Sequence, residues 1–283
     1  MKLHSKYELA KYYLKRLLRA KRKKRIPIYI FGHHKCGTKL FGKIFLKMAV
    51  EYGWSYSNVS RKDEIVPNSE VVFFLNAKIN PEQLPKKYIG IHLIRDPRDV
   101  LVSGYLYHKR TNEAWCTNKK NDISKKISYP QVPYSQMHRS EIWKANYLKS
   151  LKGKSYQETL NSLNQYEGLL FELQHYCAWT LEDIEDSIVD TDMVLEVKFE
   201  EVMNDYDNSM KKVFNHCNFT KEEFEFAIVQ SKKENLKNMS EKELKANTHI
   251  SSKQTSKWKD YLDQDLIRVF NVKYESLIKK YDY

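Results

Sequence analysis

The chain has 283 residues, 41% of them hydrophobic and 13% aromatic, enough apolar material for one large domain or two small ones. Charged residues at 30% and only 8 glycines exclude collagen-like, low-complexity and disulfide-scaffold chains. The net charge of +13 is localised: residues 1–25 hold eleven Lys/Arg against Glu8 (+10), leaving +3 for the rest, so no nucleic-acid partner is expected.

In chain order, Leu3, Tyr7, Ala10, Leu14 and Leu17 recur at helical spacing, so residues 1–25 read as a basic amphipathic helix ending in a run of Lys and Arg. Two readings stand for it: a helix docked on the domain with a solvated cationic face, or a contact with an anionic membrane surface or acidic partner. Ile26–Phe31 is a β-rich apolar run ending at Gly32, and Lys39–Tyr52 has a helical period. Val71–Leu75 is a second strand, followed by Asn76-Ala77-Lys78 and a loop from Pro81 to Pro85. Tyr88–Ile94 is a third, running into Arg95-Asp96-Pro97-Arg98-Asp99, where Asp96 suits an N-cap, Pro97 the first helical position and Asp99 a capping-box partner. Val100–Tyr107 continues that helix.

Residues 109–160 carry eleven basic residues against four acids (+7), and 161–210 carry thirteen acids against one lysine (−12), reading as helix up to about Ile188. Met193–Phe199 is a further strand, then a helix spans about Glu200–Cys217, and the last third is helical with a break near residues 247–256. Alternating helices and uninterrupted apolar strands predict an α/β, P-loop-type three-layer fold: a central parallel sheet with helices on both faces. Ligands in such sheets sit beyond the C-terminal strand ends.

Cys36, Cys116, Cys177 and Cys217 form no Cys-x-x-Cys pair, and the apolar runs fall far short of a ~20-residue span. Without the apolar stretch of a signal peptide, the expected compartment is a reducing cytoplasm.

Two motifs sit at strand ends. Gly32-His33-His34-Lys35-Cys36-Gly37-Thr38-Lys39 has glycines spaced like those of a phosphate-binding loop, which turns its amides and the next helix N-terminus toward phosphate oxygens. Lys35 supplies a charge and Thr38 a hydroxyl, but the order Gly37-Thr38-Lys39 departs from the Gly-Lys-Ser/Thr that seats magnesium in NTPases. A competing reading takes Cys36 as a thiolate nucleophile; the arginine that phosphatase loops place six residues later is Gly42 here. The second motif is Arg95 with Ser103 eight residues on: a guanidinium fork and a hydroxyl for a different phosphate, or an arginine paired with Asp96 or Asp99 beside a serine that only packs.

Together these residues resemble the sulfotransferase family that uses 3′-phosphoadenosine 5′-phosphosulfate (PAPS), over about residues 26–105 and 190–262. The resemblance implies a single domain over 26–283, with an acceptor-side helical cap at about 105–190, rich in Trp115, Trp143, Trp179, Tyr107, Tyr134 and Tyr147. It implies that Lys35, Cys36, Gly37, Thr38 and Lys39 hold the 5′-phosphosulfate, and Arg95 and Ser103 the 3′-phosphate. Phe199 then edges the adenine, Ser231 offers a hydroxyl near it, and Lys253, with Lys257, stands in a segment that closes over the 3′-phosphate. Leu40 replaces a tryptophan that stacks on the adenine in many cytosolic members.

The implied reaction moves the sulfuryl group to a hydroxyl or amine of a small-molecule acceptor and releases adenosine 3′,5′-bisphosphate, without a metal. The acceptor carries anionic groups if the +7 of residues 109–160 faces it. Lys35 and the loop amides would stabilise charge on the leaving phosphate. The family's general base aligns with Lys78, read here as orienting the acceptor or the sulfuryl oxygens; His33, His34, His108 and Glu64 are the candidate bases, with His108 carried as the catalytic candidate. The alternatives are an ATP-dependent P-loop kinase and a non-catalytic nucleotide-binding or membrane-adaptor protein.

Overall fold

The computed structural model describes residues 6–19, 25–59, 68–119, 140–190, 192–240, 242–243 and 253–283. Two compact units emerge, one formed by residues 1–96 and 183–239, the other by 97–182 and 240–283.

The first unit is built on a five-stranded sheet among the described residues: β1 Ile28–Phe31, β2 Tyr56–Val59, β3 Val71–Phe74, β4 Ile89–Ile94 and β5 Val194–Lys198. Its order is β2-β3-β1-β4-β5 and every pairing is parallel. All four residues of β1 and of β3, and all six of β4, are buried. Successive strand residues point to opposite faces, so both faces of the sheet are covered, as the uninterrupted apolar runs predict. On one face Tyr29, Phe31, Val72, Phe74, Tyr88 and Val194 form a common core with Val59, Ala77 and Ile79.

The expected strands match β1, β3, β4 and β5 within two residues at each end. Strand β2 is an addition. Tyr56-Ser-Asn-Val is short, half polar and at the sheet edge, so no apolar run announces it.

The unit's helices are α1 Lys6–Arg19 and α2 Thr38–Tyr52, with α9 Phe199–Asn204, α10 Tyr206–His216 and α11 Lys221–Lys233 after the last strand. The basic run at residues 20–24 lies outside the described residues.

The second unit is helical: α3 Pro97–His108, α4 Ala114–Thr117, α5 Glu141–Ser150, α6 Tyr156–Ser162, α7 Gln165–Gln174, most of α8 Tyr176–Glu185, then α12 Trp258–Tyr261 and α13 Gln264–Lys280. The helical stretch expected from 161 to about 188 is three elements, because Asn164 caps α7 in a capping box with Glu167 and His175 leaves helical geometry. Helices α3 and α7 meet through glycines. A Cβ at Gly168 would stand 2.7 Å from the Tyr105 ring, and one at Gly104 would stand 2.9 Å from Glu172 Oε1. Among the described residues, no helix is long and apolar enough to cross a membrane.

Candidate active site

Because the strands are parallel, the segments that follow β1, β3, β4 and β5 leave the same edge of the sheet. The loop after β1 is pinned at its entrance. Gly32 donates its amide to Phe74 O (3.0 Å), and its carbonyl accepts from the Ala77 amide (2.9 Å). A Cβ at Gly32 would stand 2.5 Å from the Thr38 methyl and 2.8 Å from Phe74 O, so the loop closes this tightly only on a glycine.

Lys35 (φ 64°) and Gly37 (φ 86°) are both left-handed, and the Cys36 amide donates to His33 O at 3.2 Å. Helix α2 then starts at Thr38 with Gly37 at its N-cap, no capping side chain and no acid in its first turn. The amides of Thr38 and Lys39 have no intrahelical acceptor, and the helix dipole adds positive potential there. This end of α2 is shaped for an anion.

Cys36 is buried, and burial pushes its thiol up to about 12, against the opposing pull of Arg95 and Lys35. The thiol donates to His34 O at 3.6 Å. A protonated, buried thiol is a poor nucleophile, so the loop presents its backbone rather than its sulfur.

Arg95 comes one residue after Ile94, which pairs with Lys198, so the register sets Arg95 beside Phe199. The guanidinium lies 4.7 Å from the centre of the Phe199 ring, donates through Nη1 to Lys35 O (3.2 Å), and has Nε 3.8 Å from Glu200 Oε1. The same Glu200 oxygen accepts the Asp96 amide at 3.2 Å. Phe199 also covers the loop, since a Cβ on Gly37 would come within 3.1 Å of its ring. Arg95, the first residue of the second motif, is thus bonded directly to the loop of the first motif inside the first unit. Glu200 was not singled out from the sequence; its position immediately after Phe199, the aromatic residue that follows β5, is the signal that would have found it.

Behind the loop runs a polar chain that starts on two buried histidines and ends on an exposed carboxylate. His33 and His92 share a hydrogen bond between their Nε2 atoms (2.9 Å), and His92 Nδ1 meets Glu196 Oε1 at 3.1 Å. Burial, then the neighbouring His92, holds the His33 imidazole well below its usual range, so it stays neutral. His33 is therefore tied up in this chain. Glu64 lies outside the described residues.

Lys78 follows Ala77, the residue bonded to the loop entrance. It is largely exposed and paired with Asp186 at 2.6 Å. Its strand end is sewn to the segment after α8: Ile79 N donates to Ser187 Oγ (3.0 Å), Ile188 N to Ile79 O (2.9 Å) and Ser187 Oγ to Asp183 O (2.8 Å). Asp183 feels Lys78 and Asp186, yet burial dominates and raises its carboxyl to about 7. The sequence offered no local cue for it within a run of acids.

Ser231 is buried on α11, where its hydroxyl donates to Ile228 O of its own helix (2.9 Å) and its carbonyl accepts from the Tyr206 hydroxyl (2.6 Å). Leu40 is buried on α2.

In the second unit, Ser103 is buried on α3. His108, fully buried, holds Glu172 on Nδ1 (2.9 Å), and Glu172 also accepts the Tyr156 hydroxyl at 2.7 Å. Trp115 and Tyr176 pack around that ring, at 4.8 and 4.7 Å between centroids. The segment carrying Lys253 and Lys257 is clamped to the start of α3: Asp99 accepts the amides of Ser256 (2.7 Å) and Trp258 (3.0 Å), and Arg98 stacks on the Trp258 ring at 4.0 Å. Asp99 thus caps α12 from a distance, besides the capping-box position read for it.

The family model described as "Sulfotransferase domain" matches residues 56–282, which takes in Arg95, Ser103 and Phe199 and leaves the loop at 32–37 to its own geometry. A search of the curated proteins finds no match. Among solved structures, mouse sulfotransferase SULT7A1 complexed with PAP is similar at 14% identity and a TM-score of 0.44, over 94% of this chain and 89% of that one. Retinol dehydratase in complex with androsterone and inactive cofactor PAP is similar at 11% identity and a TM-score of 0.44, over 95% and 86%. With the family model covering most of its length, the chain belongs to the sulfotransferase domain family.

Proposed function

We propose that this protein transfers the sulfuryl group of PAPS to a hydroxyl or amine of a small-molecule acceptor and releases adenosine 3′,5′-bisphosphate. The observation that carries this reading is the bond from Arg95 Nη1 to Lys35 O, which joins an anion-binding helix start to a buried guanidinium at one edge of the sheet.

In this reading the amides of Gly37, Thr38 and Lys39, with Lys35, hold the 5′-phosphosulfate, with Cys36 contributing backbone. Arg95 and Ser103 are assigned the 3′-phosphate, Phe199 the edge of the adenine, Ser231 a hydroxyl for the adenine, and Lys253 the basic group of the segment assigned to the 3′-phosphate. As the sulfur–oxygen bond breaks, charge grows on the bridging oxygen of the departing phosphate. Lys35 and the loop amides, already oriented, stabilise that charge without reorganising. Positioning supplies much of the remaining rate advantage.

Lys78, at the strand end bonded to the loop entrance, orients the acceptor. His108 is retained as a candidate base, and its bond to Glu172 would fix which ring nitrogen carries the proton. The basic surplus of residues 109–160 favours an acceptor bearing anionic groups. The four buried thiols fit a reducing cytoplasm. Peripheral contact of residues 1–25 with an anionic membrane surface is a separate proposal, independent of the chemistry.

The test is calorimetric titration with adenosine 3′,5′-bisphosphate and with ATP, each with and without magnesium. Metal-independent binding of the bisphosphate is expected; a preference for ATP that requires magnesium would turn the reading toward a kinase.

A further inference from the structure

Helix α1 is docked inside out. An amphipathic helix on a soluble domain turns its apolar stripe inward and its lysines to water. Here Lys11 pairs with Glu51 at 2.7 Å, Lys15 pairs with the same carboxylate, and those contacts face the body of the unit. The backbone of α1 lies directly on Gly53, where a Cβ would stand 2.5 Å from the Lys15 carbonyl carbon, so contact this close needs the glycine. Leu14, Leu17 and Leu18, at i, i+3 and i+4, form a contiguous patch exposed by 60, 72 and 67%, and Tyr13 and Leu9 are exposed as well.

We propose that this outward leucine face is a membrane-docking surface, which lies in the plane of an anionic bilayer with Leu14, Leu17 and Leu18 in the acyl boundary. Charge selects the occupant. Residues 1–25 carry a net +10, of which Lys11 and Lys15 are paired with Glu51 and Arg25 with Glu223; the remaining surplus is positive, which two copies of the chain would bring face to face unfavourably and which an anionic lipid surface would neutralise. Tyr13, with an apolar ring and a polar tip, suits the headgroup level.

The placement keeps docking apart from chemistry. Glu51 and Gly53 are at the C-terminal end of α2, whereas the anion-binding loop is at its start, and fifteen helical residues separate the two by about 22 Å. A surface held at α1 therefore leaves the loop edge open to soluble nucleotide.

The test is co-sedimentation of the full chain with vesicles of phosphatidylcholine alone and of phosphatidylcholine with phosphatidylserine, alongside the triple variant Leu14→Ser, Leu17→Ser, Leu18→Ser, which keeps every charge. Binding to the anionic vesicles is expected, weakening as salt rises, and falling about tenfold or more in the triple variant, the equivalent of losing one well-buried leucine. Circular dichroism melting of the variant shows that the body remains folded. Unchanged binding in the triple variant, or equal binding to both vesicle types, would overturn the proposal. So would a wild-type dimer by light scattering that the triple variant dissolves, since that result gives the face to a second copy. Binding of adenosine 3′,5′-bisphosphate is read in parallel and its outcome does not depend on this one.

Discussion

Replacing Arg95 separates a role that the structure shows from one that is proposed for the same guanidinium. It holds the loop through Lys35 O, and it is the buried charge proposed for the 3′-phosphate. Arg95→Met keeps much of the volume against Phe199 and removes both. Losing the bond to a neutral carbonyl is worth about 1 kcal/mol and acts on any ligand of the loop. Losing two charge-assisted bonds to a phosphate is worth about 3 kcal/mol or more and acts only on a ligand that carries that phosphate.

Calorimetry with adenosine 3′,5′-bisphosphate and with adenosine 5′-phosphate isolates the second term as a cycle between residue and ligand group. The bisphosphate should weaken by more than about 100-fold and the monophosphate by about fivefold, so the variant loses its preference between them. Equal losses for both ligands would refute the reasoning and leave Arg95 as a brace for the loop. Arg95→Lys should restore little, because a point charge reproduces neither the fork nor the stacking on Phe199.

Cys36→Ala should keep turnover within about threefold, because the thiol is held protonated; a collapse of activity with an intact fold would return the nucleophile reading. Asp183 binds a proton in the folded chain up to about pH 7, above the range of an unfolded aspartate, so its contribution to stability is full at low pH and lost as pH rises through 7. Asp183→Asn should therefore raise the melting temperature above pH 7 and flatten its decline from about pH 4 upward, by at most about 4 kcal/mol; an unchanged profile would remove Asp183 from the titration. Asp99→Ala strips the partner from the amides of Ser256 and Trp258 and should cost about 2–4 kcal/mol, read as early proteolytic cutting near residues 253–258; wild-type resistance there would mean the clamp contributes little.

What the sequence made legible is what neighbouring residues encode. The strand, glycine loop and helix at 28–52 can be read locally, as can the turn from Ile94 into Pro97, because apolar runs and helix-start residues sit together. The break at Asn164 is also written locally, as a capping box with Glu167, but a continuous helical period hides it. Strand β2 is defined by pairing with Val71–Phe74 rather than by its own residues. The side chains that finish the site are the least legible. Glu200 reaches the turn after β4 from 104 residues away, and Asp99 holds amides 157 and 159 residues downstream. Spacing along a chain carries no record of such partners; the sheet register supplies it.

The chain from His33 through His92 to Glu196 runs from the loop after β1 across the middle of β4 to β5, and its consequence is a matter of proton bookkeeping. Glu196, an acceptor when ionised, draws the His92 proton to Nδ1, which leaves His92 Nε2 as a lone pair. His33 must then be the donor at Nε2, with its own lone pair at Nδ1. A carboxylate on the rim of the sheet thus dictates the tautomer of a ring inside the glycine loop after β1, and neutralising that carboxylate would free the loop histidine to take the opposite form.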